Sequence, residues 1–172
     1  MLVTLPEVFA AFPGRRFVIH IKSGNPEDGE RVAEVLRTLS SSDRAQQIVY
    51  GGDAAERVAA RLPEVTVFTT DRVKACLKGY LAVGWLGIVP EACRDTWVLV
   101  PSNYAWLLWG YPRRFEARMF KVGSEVVLAG PLLDGVSAGI DDLDQLGAVP
   151  EGFGGWIWSN RVEVLGPSLA GG

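Results

Sequence analysis

The sequence predicts an α/β fold built on parallel strands. Three observations lead there. Short β-branched runs alternate with helical stretches, helix-start residues follow the strands, and 48% of the 172 residues are hydrophobic, enough for a sizeable core. Strand-helix alternation at this pitch implies crossover connections, which pair strands in parallel under a layer of helices. Two architectures fit the pattern: an open doubly wound sheet and part of a (β/α)8 barrel. No Gly-x-Gly-x-x-Gly follows any strand, so a dinucleotide fold has no support.

Thr4 and Glu7 form a capping box opening a short helix with Val8, Phe9 and Phe12 as its apolar face, stopped by Pro13-Gly14. Phe17–Ser23 reads as a buried strand in which His20 and Lys22 share a face with Val18, opposite Phe17, Ile19 and Ile21. Asn25 caps a helix with Pro26 at its first position and Val32, Val35, Leu36 and Leu39 at helical spacing, ended by Ser40–Ser42. Ile48–Tyr50 is the next strand, followed by Gly51-Gly52-Asp53 and a helix over 54–62. Val65–Phe68 is a third strand, and Thr70 or Asp71 caps a helix reaching about Tyr80.

Residues 81–93 break the rhythm with Gly84, Gly87 and Pro90. Trp97–Val100 resumes as a strand, and 104–109 and 112–122 read as helical pieces. Glu125–Ala129 is a strand, 130–139 a loop, 141–146 a short helix and 155–158 the last strand. Ser159-Asn160 caps a closing turn through Val164, and 166–172 is expected to fray.

The net charge of -3 leaves no basic footprint for nucleic acid. No apolar run approaches the ~20 residues of a transmembrane helix, and no signal peptide is visible. Cys76 and Cys93 carry no metal-ligand or redox spacing, and are expected as buried reduced thiols in a cytoplasmic protein.

Several segments, in order, bear a likeness. "LPEVFAAFPGRRFVIHIKS" resembles the helix-strand unit of glycerophosphodiester phosphodiesterases, of the type T-L-x-E-V-L followed by F-N-I-E-I-K. "QIVYGGDAAERVAARLPEVTVFTT" is similar to the family's next unit, "RMFKVGSEVVLAG" to its segment leading into Trp-Thr, and "GFGGWIWSNRVEVLGP" to its terminal G-I-x-T-D-x-P. "CLKGYLAVGWLGIVPEACR" resembles one divergent bacterial branch. The likeness spans nearly the whole chain but only the family's second half.

The resemblance implies a partial (β/α)8 TIM-type barrel over residues 1–165, missing its N-terminal strands, with a flexible tail over 166–172. It implies metal-assisted hydrolysis of a glycerophosphodiester to glycerol 3-phosphate and an alcohol, with Mg or Ca as the divalent metal. Lys22 matches the family's lysine and is expected to face the phosphate. His20 stands where the family has a metal-binding glutamate, although imidazole suits a transition metal better than Ca²⁺ or Mg²⁺. Tyr50, Trp158 and Asn160 are expected to line the pocket.

The chain departs from the family in important places. His-Arg, Glu-x-Asp and His-Asp motifs are absent, and His20 is its only histidine, whereas the family's acid-base chemistry uses two. Tyr50-Gly51 replaces Ser-Phe, Leu128-Ala129 replaces Trp-Thr, and Ser159-Asn160 replaces Thr-Asp. The expectation is therefore an incomplete, inactive portion of the barrel. The rival is a non-catalytic half-barrel that pairs with a second copy or with a separate N-terminal half-barrel.

Three features have simpler readings. Gly51-Gly52-Asp53 reads as a tight turn with a capping aspartate rather than an anion cradle. Trp156 and Trp158 share a face and serve a core as readily as a pocket mouth. The aromatic-basic tract 104–114 packs a helix rather than meeting lipid.

Overall fold

The computed structural model describes residues 3–133 and 136–169. The chain divides after Arg72 into two compact units.

Unit 1 begins with α1 (Leu5–Ala11), whose Thr4–Glu7 capping box forms as the sequence predicts. Then come β1 (Val18–His20), α2 (Pro26–Arg37), α3 (Ser41–Ala45), β2 (Ile48–Gly51), α4 (Asp53–Arg61) and β3 (Thr66–Thr69). The strands are parallel in chain order, β1-β2-β3, with Val18 opposite Ile48 and Ile48 opposite Thr66.

Helices α2 and α4 pack on each other and on one face of this sheet. Ala33 and Leu36 of α2, Ala54, Ala55 and Val58 of α4, and Ile21, Val49 and Val67 share one core. Gly29 makes the helix crossing possible, because a Cβ there would lie 2.1 Å from the Ala54 carbonyl oxygen. Glu30 of α2 binds Arg61 of α4 at 2.9 Å across the same seam. Both crossovers on one side with strands in chain order is a singly wound layout, unlike the doubly wound alternative.

Buried Gln47 ties the approach to β1 in place. Its Oε1 accepts from the Phe17 amide at 3.0 Å, and its Nε2 donates to the Arg15 and Asp43 carbonyls. No sequence pattern signals this role.

A long helix, α5 (Thr70–Val83), follows β3; Thr69 caps it by accepting from the Arg72 amide. Unit 2 continues with β4 (Trp97–Pro101), α6 (Ser102–Ala105), α7 (Arg113–Phe120) and β5 (Glu125–Ala129). A hairpin of β6 (Leu132–Leu133) and β7 (Val136–Ser137) precedes α8 (Leu143–Gly147), β8 (Trp156–Ile157) and α9 (Val162–Leu169). Strands β4-β5-β8 form a second parallel sheet. Val98, Val100, Val126 and Leu128 meet Tyr80, Phe115 and Met119 in its core.

The architecture is thus α/β with two parallel three-stranded sheets and no closed barrel among the described residues. Several sequence expectations need correction. Cys76 and Cys93 are joined in a buried disulfide rather than reduced, so the cytoplasmic placement loses the support those thiols lent it. The expected loop over 130–139 contains an antiparallel hairpin. Helix α2 stops at Arg37, short of the serine run, and Ser40 instead caps α3, its Oγ accepting from the Asp43 amide. The chain stays helical to Leu169 where a frayed tail is expected from Gly166; residues 170–172 of that tail lie outside the described residues.

Candidate functional site

In parallel α/β folds chemistry gathers where strands end, and in unit 1 that edge is formed by β1, β2 and β3. Register places His20, Tyr50 and Phe68 side by side across the three strands. Their rings form a ladder, with centroids 4.5 Å apart between His20 and Tyr50 and 4.6 Å between Tyr50 and Phe68. The Tyr50 hydroxyl reaches the Thr70 hydroxyl at 3.2 Å.

The strand bearing His20 and Lys22 is not the buried run its sequence suggests. Regular strand geometry covers only Val18–His20, although the Ile21 amide still donates to the Tyr50 carbonyl at 2.8 Å. Val18, His20 and Lys22 are exposed while Ile21 points into the core. As an edge strand of its sheet, β1 accommodates polar residues without the burial cost an interior strand would carry. The expected alternation holds, but the strand lies at the surface.

The His20 imidazole is held below its ordinary pKa, first by partial burial against the ring ladder and second by the Lys22 ammonium. It is therefore neutral at neutral pH and packed at a tilt of 35° against the Tyr50 ring. Among the described residues no three His, Cys, Asp or Glu side chains converge to hold a metal. His20 itself is surrounded by a phenol ring and a cation, a poor setting for Mg²⁺ or Ca²⁺, which take oxygen ligands. The residues here do not fit the expected ion.

The turns flanking Lys22 are acidic. Ser23 donates its hydroxyl to the Asp28 carboxylate, in a helix start that also carries Glu27. Gly52 is the N-cap of α4 and makes no side-chain cap bond, while Asp53 lies inside the first turn with Glu56. The expected capping aspartate is thus a first-turn acid, and it disfavours an anion at that helix end. Gly51 is needed for contact: a Cβ would come within 2.8 Å of the Ile21 carbonyl oxygen. Lys22 stands exposed at the end of β1.

Unit 2 has a cavity of about 460 Å³ beyond the ends of β4 and β5, walled by Ser102, Trp106, Tyr111, Leu128, Gln145 and Val149 among others. Beside it, the Tyr111 hydroxyl and Glu116 Oε1 are buried without a hydrogen-bond partner among the described residues. Burial raises the pKa of both, and the Glu116 charge raises Tyr111 further; a bond from the Gly154 amide to Glu116 Oε2 at 3.1 Å partly offsets this for Glu116.

Trp158 and Asn160 have structural partners at the end of β8. The Trp158 amide donates to the Leu128 carbonyl and its own carbonyl accepts from Ile140. Asn160 grips Asp141, its amide reaching Oδ1 at 2.7 Å and its Nδ2 reaching Oδ2 at 3.0 Å. These bonds hold the Asp141 carboxyl below its ordinary range. Asp142, rather than Asp141, caps α8 and accepts from the Gln145 amide. Two adjacent aspartates made the helix start ambiguous in the sequence, and only the fold separates cap from clasp. Neither Trp158 nor Asn160 belongs to the wall of the cavity.

Site and fold define an α/β protein with parallel sheets and a stacked aromatic edge bearing one lysine. No family model matches the chain, and no curated protein matches it.

Proposed function

We propose that this chain is a glycerophosphodiester phosphodiesterase-like protein, a portion of a TIM-type barrel that binds a phosphate-bearing ligand at Lys22 without hydrolysing it. The observation that carries the reading is the winding of unit 1: parallel strands in chain order, both crossover helices on one face, and Lys22 exposed where β1 ends. A barrel segment would have this layout, and a strand end is where a barrel receives its ligand. The motif likeness around Phe17–Ser23 supplies the substrate class, a glycerophosphodiester.

The same reading makes the isolated chain inactive. Its single histidine is neutral and packed against Tyr50, so a two-histidine acid-base pair cannot be assembled within it. A divalent Mg or Ca belongs to the proposal only with a ligand group that the described residues of this chain do not bring together. Incubation of purified chain with glycerophosphocholine and each metal, assayed for glycerol 3-phosphate, tests this. No product above background is expected; turnover lost in Lys22→Ala overturns the inactivity.

The second reading is a non-catalytic module that pairs with a second copy or with a separate half-barrel. It draws on β1 and β8, each an edge strand in its own sheet, because unpaired edges invite a partner strand. Sedimentation equilibrium separates the two: a monomer at all concentrations removes self-pairing.

A further inference from the structure

We propose that the tip Trp85-Leu86-Gly87-Ile88 in unit 2 is a membrane-contact element that seats in the interfacial layer of an anionic lipid bilayer. Trp85, Leu86 and Ile88 expose 61%, 55% and 52% of their surface, and they are nearly consecutive. Isolated apolar residues on a surface are ordinary, whereas a run of large ones signals contact with something. Gly87, at φ 82°, ends a short helical turn in the left-handed conformation and keeps the three residues on one exposed turn.

Polar groups of this tip are turned inward. The Gly87 amide donates to the Gly84 carbonyl at 2.9 Å, and the Trp85 indole donates to the Ala82 carbonyl at 3.1 Å. Arg118 on α7 donates to the same Gly84 carbonyl and to the Tyr80 hydroxyl. The Trp85 indole and the Gly87 amide thus enter a water-poor layer already paired.

The surroundings match lipid headgroups. Lys74, Lys78, Leu81 and Trp85 recur at helical spacing as an exposed stripe along α5 and just beyond, cations first and apolar tip last. Trp109 flanks the stripe, its indole donating to the Leu81 carbonyl; it and Trp106 are exposed where the sequence expects a packed helix face, and exposed Phe120 precedes Lys121 at the end of α7. Segments 70–94 and 113–121 carry eight Lys and Arg against three acids, Asp71, Glu91 and Glu116, in a chain whose net charge is -3. Aromatic and aliphatic groups between long basic side chains are the composition of an interfacial anchor.

The charge pattern also selects among occupants. Two copies meeting tip to tip would bring these cationic flanks together, which repels; an anionic bilayer attracts them. The Cys76–Cys93 disulfide closes the segment that carries the tip, so little ordering is required on contact. None of these residues belongs to the Lys22 edge, and the inference is independent of the phosphodiesterase reading.

Vesicle co-sedimentation tests it, using phosphatidylcholine alone and phosphatidylcholine mixed with phosphatidylglycerol. The native chain is expected to sediment with the mixed vesicles and to release on raising the salt. Combined Trp85→Ser, Leu86→Ser and Ile88→Ser should cut the partition coefficient about tenfold or more, with thermal melting unchanged. Lys74→Glu with Lys78→Glu should weaken binding to mixed vesicles while keeping the apolar tip. The proposal is overturned if native protein stays in the supernatant with mixed vesicles, or if the serine variant sediments as the native chain does. A native dimer that the serine changes convert to monomer also overturns it, because a second copy then covers the tip.

Discussion

His20 lies with its imidazole 4.5 Å from the Tyr50 ring at the point where their paired strands end, and Lys22 flanks it. Desolvation by this contact and the nearby ammonium both disfavour protonation. NMR titration should find His20 below the ordinary imidazole value of about 6.5. Lys22→Ala should move it up by removing the second cause. The sign for stability follows: a depressed folded pKa means the unfolded chain binds the proton first. This contribution is present above the ordinary imidazole pKa and is lost as pH falls through the lower folded value. A His20 that titrates above its ordinary value would contradict the stacking.

Gly29 has no room for a side chain, since α2 meets the Ala54 carbonyl there. Gly29→Val should force the two helices apart and destabilise the chain by about 2 kcal/mol or more. Denaturant unfolding monitored by circular dichroism checks this. Glycine in a helix interior ordinarily costs stability relative to alanine, so a stabilised variant would show that the helices do not cross here.

The Cys76–Cys93 disulfide spans a sequence separation of 17 residues. Closing a loop of that size removes unfolded-state entropy worth about 3 kcal/mol. Cys76→Ser with Cys93→Ser should lower unfolding free energy by roughly that amount. Thiol labelling of the unreduced, denatured native chain should find no free thiol. Two reactive thiols would restore the reduced pair the sequence suggests.

Local chemistry was readable in advance. Asn25-Pro26 marks the start of α2, and the β-branched run Glu125–Ala129 is β5 with the same bounds, because caps and strand runs are decided by neighbouring residues. Alternation along β1 assigned Ile21 and His20 to opposite faces for the same reason. What stayed hidden depends on distant partners. Gln47 reaches Phe17, Gly29 meets Ala54, Cys76 meets Cys93, and Asn160 grips Asp141; no short-range period encodes any of these contacts. The burial of β1 was overestimated because depth depends on the strand's place in the sheet, which composition does not report. Tip residues 85–88 read as a plain loop because glycines and proline flank them, and their exposure emerges only from the fold.

Binding at Lys22 is the most direct test of the account. Phosphorus NMR of glycerophosphocholine, titrated with native chain and with Lys22→Met, reads binding and turnover in one experiment. The prediction is a chemical-shift change with the native chain, its loss in Lys22→Met, and no glycerol 3-phosphate resonance in either sample. An unchanged shift response in Lys22→Met, or a growing product signal that depends on Lys22, would contradict it.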